Sequence, residues 1–154
     1  MTSFTLYTDG ACRGNPGDGS CAWVLTRMVP PQTGGTDISM LPCNEEMSFS
    51  TSVYLGHCTN NIAEYCAVLY GLVSLMSSNV KAVTVVSDSE LIVSQLTGRY
   101  QCNKPELNFY RVQILALVKY YFTLVVFEHR PRTDRFIIEC DKLCNEKLDQ
   151  VKKE

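Results

Sequence analysis

The stretch from residue 4 to residue 17 restricts the fold of this chain more than any other. An alternating apolar pattern runs into an acid and then into glycines and a proline, in the order FTLYTDGACRGNPG. Side chains alternate with period two along a strand, so Thr5, Tyr7 and Asp9 share one face. An unpaired carboxylate is costly to bury, so Asp9 needs a cation or hydrogen bonds. The stretch predicts a strand that ends in a functional acid.

Three further acids stand where one predicted element gives way to the next. Glu64 is predicted in the first turn of an amphipathic helix, in which Ile62 and later apolar residues recur at helical spacing. Asp88 follows an apolar strand pattern, at the carboxyl end where open α/β sheets usually build their sites. Asp141 stands near the start of the last helical pattern. The four acids are predicted to converge above one sheet.

Ordinary helix capping is an alternative explanation for some of these acids. Asn61 and Glu64 match a cap residue followed three positions later by an acid. Ser87 and Glu90 repeat that pattern at the next helix. A first-turn Asp141 in a polar helix also needs no catalytic explanation. Capping and catalysis do not exclude each other for Glu64.

The chemistry of four carboxylates favours magnesium over zinc. Two divalent ions about 3.5–4 Å apart can hydrolyse a phosphodiester, and magnesium prefers oxygen ligands. The eight cysteines show no Cys-x-x-Cys spacing, which makes a zinc site a poor explanation. We expect reduced, largely buried thiols, although sequence leaves disulfide pairing open. They are Cys12, Cys21, Cys43, Cys58, Cys66, Cys102, Cys140 and Cys144.

Four segments occur in an order that resembles a known family. They are TDGACRGNPG at 8–17, TNN at 59–61 followed by Glu64, SDS at 87–89, and CDKL at 140–143 followed by Asn145. In this combination and order they resemble the type 1 ribonuclease H family, and together they span nearly the whole chain. The first segment is the most specific, and the last is weak alone.

The resemblance implies an activity, a cofactor and a fold. It implies an endonuclease that cuts the RNA strand of RNA/DNA hybrids and leaves 3′-hydroxyl and 5′-phosphate ends. Two Mg²⁺ ions, with Mn²⁺ as a substitute, would be bound by the catalytic residues Asp9, Glu64, Asp88 and Asp141. The implied fold is α/β, with three antiparallel strands followed by two parallel ones in a mixed five-stranded sheet with helices on both faces. Residues 1–154 would form a single domain.

The resemblance also implies residues that contact the substrate or assist turnover. The glycine-rich turn would approach the RNA 2′-hydroxyls, and the TNN segment would face the DNA strand or the scissile region. The implied substrate-binding residues are Gly10, Ala11, Cys12, Asn15, Thr59, Asn60 and Ser89. The loop after the last strand would place His129 and Arg132 to assist catalysis and product release, or would simply be a solvated turn.

The chain departs from the family pattern in three places. Glu90 stands where many relatives carry a neutral polar group. Residues 98–105 replace the basic, tryptophan-rich protrusion of some members, which places the chain nearer the compact archaeal- or plant-like branch. Ile137 stands where an asparagine is common, and the spacing from the preceding loop to Asp141 is longer than usual.

Periodicity and turn residues predict nine elements along the chain. Strands are predicted near 3–9, 20–27, 47–56, 82–87 and 123–128. Helices are predicted near 61–77, 88–97, 105–121 and 139–150. Residues 28–46 read as a polar loop that joins the second and third strands.

Charge is unevenly distributed, although the net charge is only −2. Residues 1–97 carry 3 Lys/Arg against 8 Asp/Glu, and residues 98–154 carry 11 against 8. Phosphate contacts are therefore expected from the second half, where a solvated charged face is the alternative. Its basic groups near the predicted site are Arg99, Lys104, Arg111, Lys119, Arg130, Arg132 and Arg135.

Three accounts of the chain remain open at this stage. The first is a free-standing, monomeric, intracellular ribonuclease H, since no stretch could span a membrane and no signal-peptide layout opens the chain. The second is the ribonuclease H domain of a reverse transcriptase. The third is a catalytically silent relative that docks nucleic acid or protein, which usually lacks one of the acids.

Overall fold

One mixed sheet organises the chain in the computed structural model, which describes residues 3–29 and 44–153. The strand order is β3-β2-β1-β4-β5. Strands β1, β2 and β3 are antiparallel, while β4 runs parallel to β1 and β5 parallel to β4. The predicted α/β sheet with three antiparallel and two parallel strands is confirmed. The elements are β1 Phe4–Gly14, β2 Gly17–Val29, β3 Asn44–Cys58, α1 Asn60–Leu75, β4 Ala82–Ser87, α2 Glu90–Leu96, α3 Pro105–Tyr121, β5 Leu124–His129 and α4 Arg135–Lys152.

Helices pack on both faces of this sheet, as expected. The larger core lies on the face of α1 and α3 and contains Leu6, Trp23 and Leu72. The smaller core lies under α4 and contains Tyr7 and Phe136. Neighbouring residues of β1 therefore enter opposite cores, which is the period-two alternation of a strand covered on both sides.

Strand β1 is longer than predicted, and the prediction that Asp9 ends it is wrong. Pairing with β2 continues from Asp9↔Ala22 to Gly14↔Gly17, so the glycine-rich segment is still strand. Strand β2 supplies backbone hydrogen bonds that keep this segment extended. The glycines and the proline, considered locally, predict a turn instead. The predicted loop at 28–46 is also too long, since β2 and β3 remain paired as far as Val29↔Asn44. Residues 30–43 lie outside the described residues.

The capping explanations for the acids are wrong. Thr59 is the N-cap of α1, and its hydroxyl accepts a hydrogen bond from Ile62 N at 3.3 Å. Glu64 therefore lies beyond the first turn. Ser89 is the N-cap of α2 and accepts from Ile92 N at 3.3 Å, so Ser87 does not cap that helix.

Helix α4 begins at Arg135, earlier than predicted. Asp134 is its N-cap, with Oδ1 accepting from Phe136 N at 3.0 Å and Ile137 N at 3.3 Å. Asp141 thus lies in the second turn, and the prediction that it stands near the helix start is wrong. Because Asp134 already caps the helix, Asp141 is not needed for that role.

The seven cysteines in the described part of the chain form no disulfide with one another. Cys12 Sγ and Cys58 Sγ lie 3.5 Å apart, a contact between thiols. Burial raises the pKa of Cys66 to about 11, so that thiol stays protonated and unreactive at neutral pH. None of the helices in this part of the chain has the length and apolar composition needed to cross a membrane.

Candidate active site

Three of the four predicted acids meet at the centre of the sheet. One carboxylate oxygen each from Asp9, Glu64 and Asp88 lies within 4.8 Å of the other two. Thr8 of β1 pairs with Ser87 of the parallel neighbour β4. The residues that follow this pair, Asp9 on β1 and Asp88 directly after the end of β4, are therefore brought alongside each other.

Glu64 reaches this pair because α1 packs unusually close to β1 at Gly10. A Cβ atom at Gly10 would lie 2.3 Å from the carbonyl carbon of Ala63 and 2.5 Å from Glu64 N. Only glycine permits that approach of helix backbone to strand. The Gly10 amide also donates to Asp9 Oδ1 at 3.0 Å. Gly10 thus builds the site, whatever contact it makes with substrate.

The electrostatics of the three acids favour a cation. Burial, followed by the charges of Asp88 and Asp141, raises the pKa of Asp9 from its ordinary 3.8 to about 7. Burial and the charges of Asp9 and Asp88 likewise raise the pKa of Glu64 well above its usual value. Crowded carboxylates oppose one another's ionisation, and a bound cation removes that opposition.

Two oxygens of the cluster are available as metal ligands. Glu64 Oε2 and Asp88 Oδ1 are buried and have no hydrogen-bond partner among the described residues. Buried polar atoms are nearly always paired, so such orphans indicate a missing ligand. A set made only of carboxylate oxygens suits Mg²⁺ or Mn²⁺. The cluster therefore fits a divalent metal.

Asp141 lies beside this cluster rather than in it. Its exposed side chain borders the same cleft, but it is not among the three acids whose oxygens meet within 4.8 Å. Asn145 Nδ2 donates to Asp141 O at 2.9 Å and approaches its Oδ1 at 3.4 Å. Its charge still contributes to the raised pKa of Asp9. The structure thus brings three predicted ligands together and places the fourth at the edge.

A cleft of about 480 Å³ opens above the acids. Five of the seven predicted substrate residues line it, namely Gly10, Ala11, Cys12, Asn60 and Ser89. The other two support its walls: Asn15 Oδ1 accepts from Asn60 N at 3.1 Å, and Thr59 caps α1. Sequence reasoning missed Asn61 and Ile138, which also line the cleft. Asn61 could have been chosen from the TNN motif, whereas Ile138 carries no such signal.

His129 and Arg132 both contact Asp88. His129 is the last residue of β5, not a loop residue as predicted, and its Nε2 lies 3.2 Å from Asp88 O. Arg132 Nε lies 3.2 Å from Asp88 Oδ2, although the arginine side chain is 90% exposed. An ion pair this exposed contributes little to stability. Both side chains therefore lie beside Asp88.

Part of the predicted basic surface is occupied by internal contacts. Arg111 Nε donates to Gln95 O at 3.1 Å, and Arg99 Nη2 donates to Ser94 Oγ at 3.2 Å. These arginines secure the end of α2 as well as offering charge to a ligand. Any phosphate contact they make would compete with those hydrogen bonds.

The fold and the carboxylate cluster define a nuclease-like member of the mixed α/β class. A family model described as reverse transcriptase-like matches residues 7–137. The ribonuclease HI of Halobacterium salinarum is 31% identical over 148 residues, covering 94% of this chain and 64% of that protein. The structure of LC11-RNase H1 in complex with RNA/DNA hybrid superposes with a TM-score of 0.78 at 31% identity, covering 97% of this chain and 99% of the other. The chain belongs to the type 1 ribonuclease H family.

The curated relatives are longer than this chain. The chain spans 64% of the Halobacterium protein and 35% of a bifunctional protein of Mycobacterium tuberculosis, to which it is 29% identical over 147 residues, or 94% of its own length. The match to those relatives therefore concerns one region of each. The acidic cluster agrees with the divalent-metal dependence that is general in the family.

Proposed function

We propose that this chain hydrolyses the RNA strand of RNA/DNA hybrids as a metal-dependent endonuclease. The observation that carries the proposal is the cluster of Asp9, Glu64 and Asp88, with its two unpaired buried oxygens. A relative of similar fold in complex with RNA/DNA hybrid supports the substrate class. We propose further that residues 1–154 act as a single domain and a monomer.

The acids would bind two Mg²⁺ ions, with Mn²⁺ as a substitute. Asp9, Glu64 and Asp88 would hold the ions through carboxylate oxygens, and Asp141 would add a carboxylate from the edge of the cleft. Divalent ions in such a site activate a water and offset the charge that develops on the attacking and leaving oxygens. Asp9 and Glu64 release their protons when a cation binds, because their raised pKa values reflect burial and mutual repulsion.

The walls of the cleft would orient the hybrid. The backbone of Gly10, Ala11 and Cys12 is close enough to the acids to meet RNA 2′-hydroxyls, the groups that distinguish RNA from DNA. Asn60, held by Asn15, and the capped end of α1 would face the DNA strand or the scissile region. Ser89 would contact the substrate from the opposite wall.

Arg132 and His129 would act on the cleaved phosphate beside Asp88. The guanidinium of Arg132 offers a forked pair of donors to a phosphate, at the cost of its weak pairing with Asp88. The imidazole of His129, whose Nε2 lies beside Asp88 O, offers ring nitrogens that can donate or accept a hydrogen bond. Both roles concern turnover rather than metal binding.

Two other accounts predict different outcomes. The reverse transcriptase-like description of the family model favours a polymerase-associated domain, for which hybrid cleavage would be the same but flanking sequence would differ. A silent docking module would bind hybrid without cutting it. The presence of all four acids along one cleft favours the catalytic account over the silent one.

A cleavage assay with matched labelled substrates tests the proposal. Wild type is expected to cut an RNA/DNA hybrid in Mg²⁺, leaving 3′-hydroxyl ends, and to spare DNA duplex of the same sequence. EDTA should abolish cleavage. Asp88→Asn is expected to lower the rate by about a thousandfold, or ~4 kcal/mol of transition-state stabilisation. The control Asp18→Asn, an exposed acid, should keep the wild-type rate. Folded wild-type protein that binds the hybrid in Mg²⁺ and leaves it intact would contradict the proposal.

A further inference from the structure

A network of polar contacts outside the acid cluster connects four strands and one helix. Arg130 Nη1 donates to Tyr7 OH at 2.8 Å, and the Tyr7 hydroxyl donates to Glu45 Oε1 at 2.5 Å. Thr26 Oγ1 also donates to Glu45 Oε1, at 2.7 Å. The network therefore crosses from Arg130, directly after β5, through β1 to β2 and β3.

Arg130 is the point at which this network meets the segment before α4. Its Nε pairs with Glu128 Oε2 at 2.5 Å, and its Nη1 lies 3.4 Å from Asp134 Oδ2. Its backbone amide donates to Ser87 O at 3.1 Å. Its guanidinium also lies over the Tyr7 ring, 5.4 Å from the centroid. A single side chain thus contacts the strand of Asp9, the neighbouring acid in β5 and the N-cap of α4.

The tyrosine end of the network is rigid. Tyr7 is 1% exposed and packs against Phe136, with ring centroids 5.0 Å apart. The Tyr7 hydroxyl is held between Arg130 Nη1, which donates to it, and Glu45 Oε1, which accepts from it. Tyr7 lies two residues before Asp9 on β1. Arg130 is consequently anchored to the strand that positions the central acid.

Two residues close to Arg130 in the sequence contact Asp88. His129 precedes Arg130 and Arg132 follows it, yet Arg132 is 90% exposed and its ion pair alone cannot hold the segment in place. The Arg130 side chain is 34% exposed and has three acidic or phenolic partners. Pairing of β5 with β4 already places His129 opposite Ser87. The Arg130 side chain adds the contacts that tie the residues after β5 to β1 and to the N-cap of α4.

We infer that Tyr7 and Arg130 are positioning residues, which hold the 129–132 segment so that Arg132 faces Asp88. They act through that segment and do not touch the substrate. The inference rests on the proposed hydrolysis of the hybrid, because Asp88 and Arg132 take their roles from it. It adds a pair of residues that neither binds metal nor lines the cleft.

Steady-state kinetics on a double-mutant cycle tests the inference. Tyr7→Phe and Arg130→Met are each expected to lower kcat about tenfold, as Arg132→Ala does, with KM nearly unchanged. The double variants, which combine Tyr7→Phe or Arg130→Met with Arg132→Ala, should have a kcat little lower than that of the single variants. The reason is that the effects of residues acting as one unit are not additive. Arg130→Lys should restore kcat only partly, since an ammonium cannot reach several partners with a planar fork. Losses that multiply, or a wild-type kcat in both Tyr7→Phe and Arg130→Met, would overturn the inference.

A matched control separates positioning from loss of stability. Tyr54→Phe removes another phenol hydroxyl that bonds an acid on a neighbouring strand, Asp18 Oδ1 at 3.1 Å, away from the 129–132 segment. It should keep the wild-type kcat. Assays run well below the unfolding temperature of every variant remove a purely structural effect.

A spectroscopic measurement keeps the inference separate from the proposed function. The Nε–Hε resonance of Arg132, assigned by its absence in Arg132→Ala, reports the contact with Asp88 without any turnover. In metal-free protein it should move toward the free-arginine position in Tyr7→Phe and Arg130→Met, but not in Tyr54→Phe. An unmoved resonance overturns the positioning role even where the hybrid is cut. Absence of hybrid cleavage by wild type, with the resonance moved as expected, would overturn the proposed function alone.

Discussion

Replacing Asp9 by asparagine should stabilise the metal-free protein while abolishing its activity. Asparagine has nearly the same shape as aspartate, and its side-chain oxygen can still accept the hydrogen bond from the Gly10 amide. It removes one of three clustered carboxyl groups that oppose one another's ionisation. The substitution therefore isolates the electrostatic strain of the cluster from its packing.

The size and sign of this effect follow from the raised pKa of Asp9. Burial and the charges of Asp88 and Asp141 raise that pKa from 3.8 to about 7. The folded state then holds the proton more tightly than the unfolded state, so ionisation opposes folding. The destabilisation is absent below about pH 4, grows as pH rises to about 7, and is constant above that. At 1.36 kcal/mol per pKa unit it reaches on the order of 4 kcal/mol, and the coupling to Glu64 spreads it over the cluster.

Urea unfolding in EDTA measures this directly. At about pH 8, Asp9→Asn is expected to gain roughly 2–4 kcal/mol in free energy of unfolding, and at about pH 4.5 most of the gain should vanish. Mg²⁺ should stabilise wild type and not the variant, because binding to the folded state alone shifts unfolding. Asp18→Asn, with its exposed acid, serves as the control. An Asp9→Asn protein no more stable than wild type at pH 8 would refute the reasoning.

Four further predictions concern residues around the cluster. Gly10→Ala should lose about 3 kcal/mol of stability and most of its activity, as measured by urea unfolding and cleavage, because its Cβ would meet Ala63 backbone at 2.3 Å. His129→Ala and Arg132→Ala should each slow turnover about tenfold, roughly 1.4 kcal/mol. If both variants instead keep the single-turnover and steady-state rates of wild type, the segment has only a structural role. Thr59→Ala should cost about 1 kcal/mol through the lost cap of α1, again by urea unfolding. Hybrid binding should weaken steeply with salt, and a flat salt series would exclude phosphate contacts by the basic second half.

Local sequence patterns predicted those parts of the site whose structure depends on residues adjacent in the chain. The apolar run before Asp88 and the alternation around Tyr7 identify two strands, and parallel strands place their following residues at one edge of a sheet. Glu64 was found from helical spacing and its motif. These acids could be named without knowing the register that brings Asp9 and Asp88 together.

Long-range contacts account for what the sequence did not reveal. Asp9 was predicted to end its strand because the glycines after it look like a turn, whereas pairing with β2 extends the strand to Gly14. The contact of Arg130 with Tyr7 joins residues 123 positions apart in the sequence, so no local pattern can predict it. Helix α4 was predicted to begin too late, although Asp134 before Phe136 and Ile137 is a readable N-cap signal.

The affinity of the protein for Mn²⁺, measured by electron paramagnetic resonance in the absence of substrate, tests the central claim most directly. The account holds that Asp9, Glu64 and Asp88 together bind a divalent cation, with two buried oxygens, Glu64 Oε2 and Asp88 Oδ1, that find no hydrogen-bond partner in residues 3–29 and 44–153. Wild type should bind Mn²⁺ at this site, Asp88→Asn should bind it at least about tenfold more weakly, some 1.4 kcal/mol, and Asp18→Asn should match wild type. Equal Mn²⁺ affinity in wild type and Asp88→Asn would contradict the account.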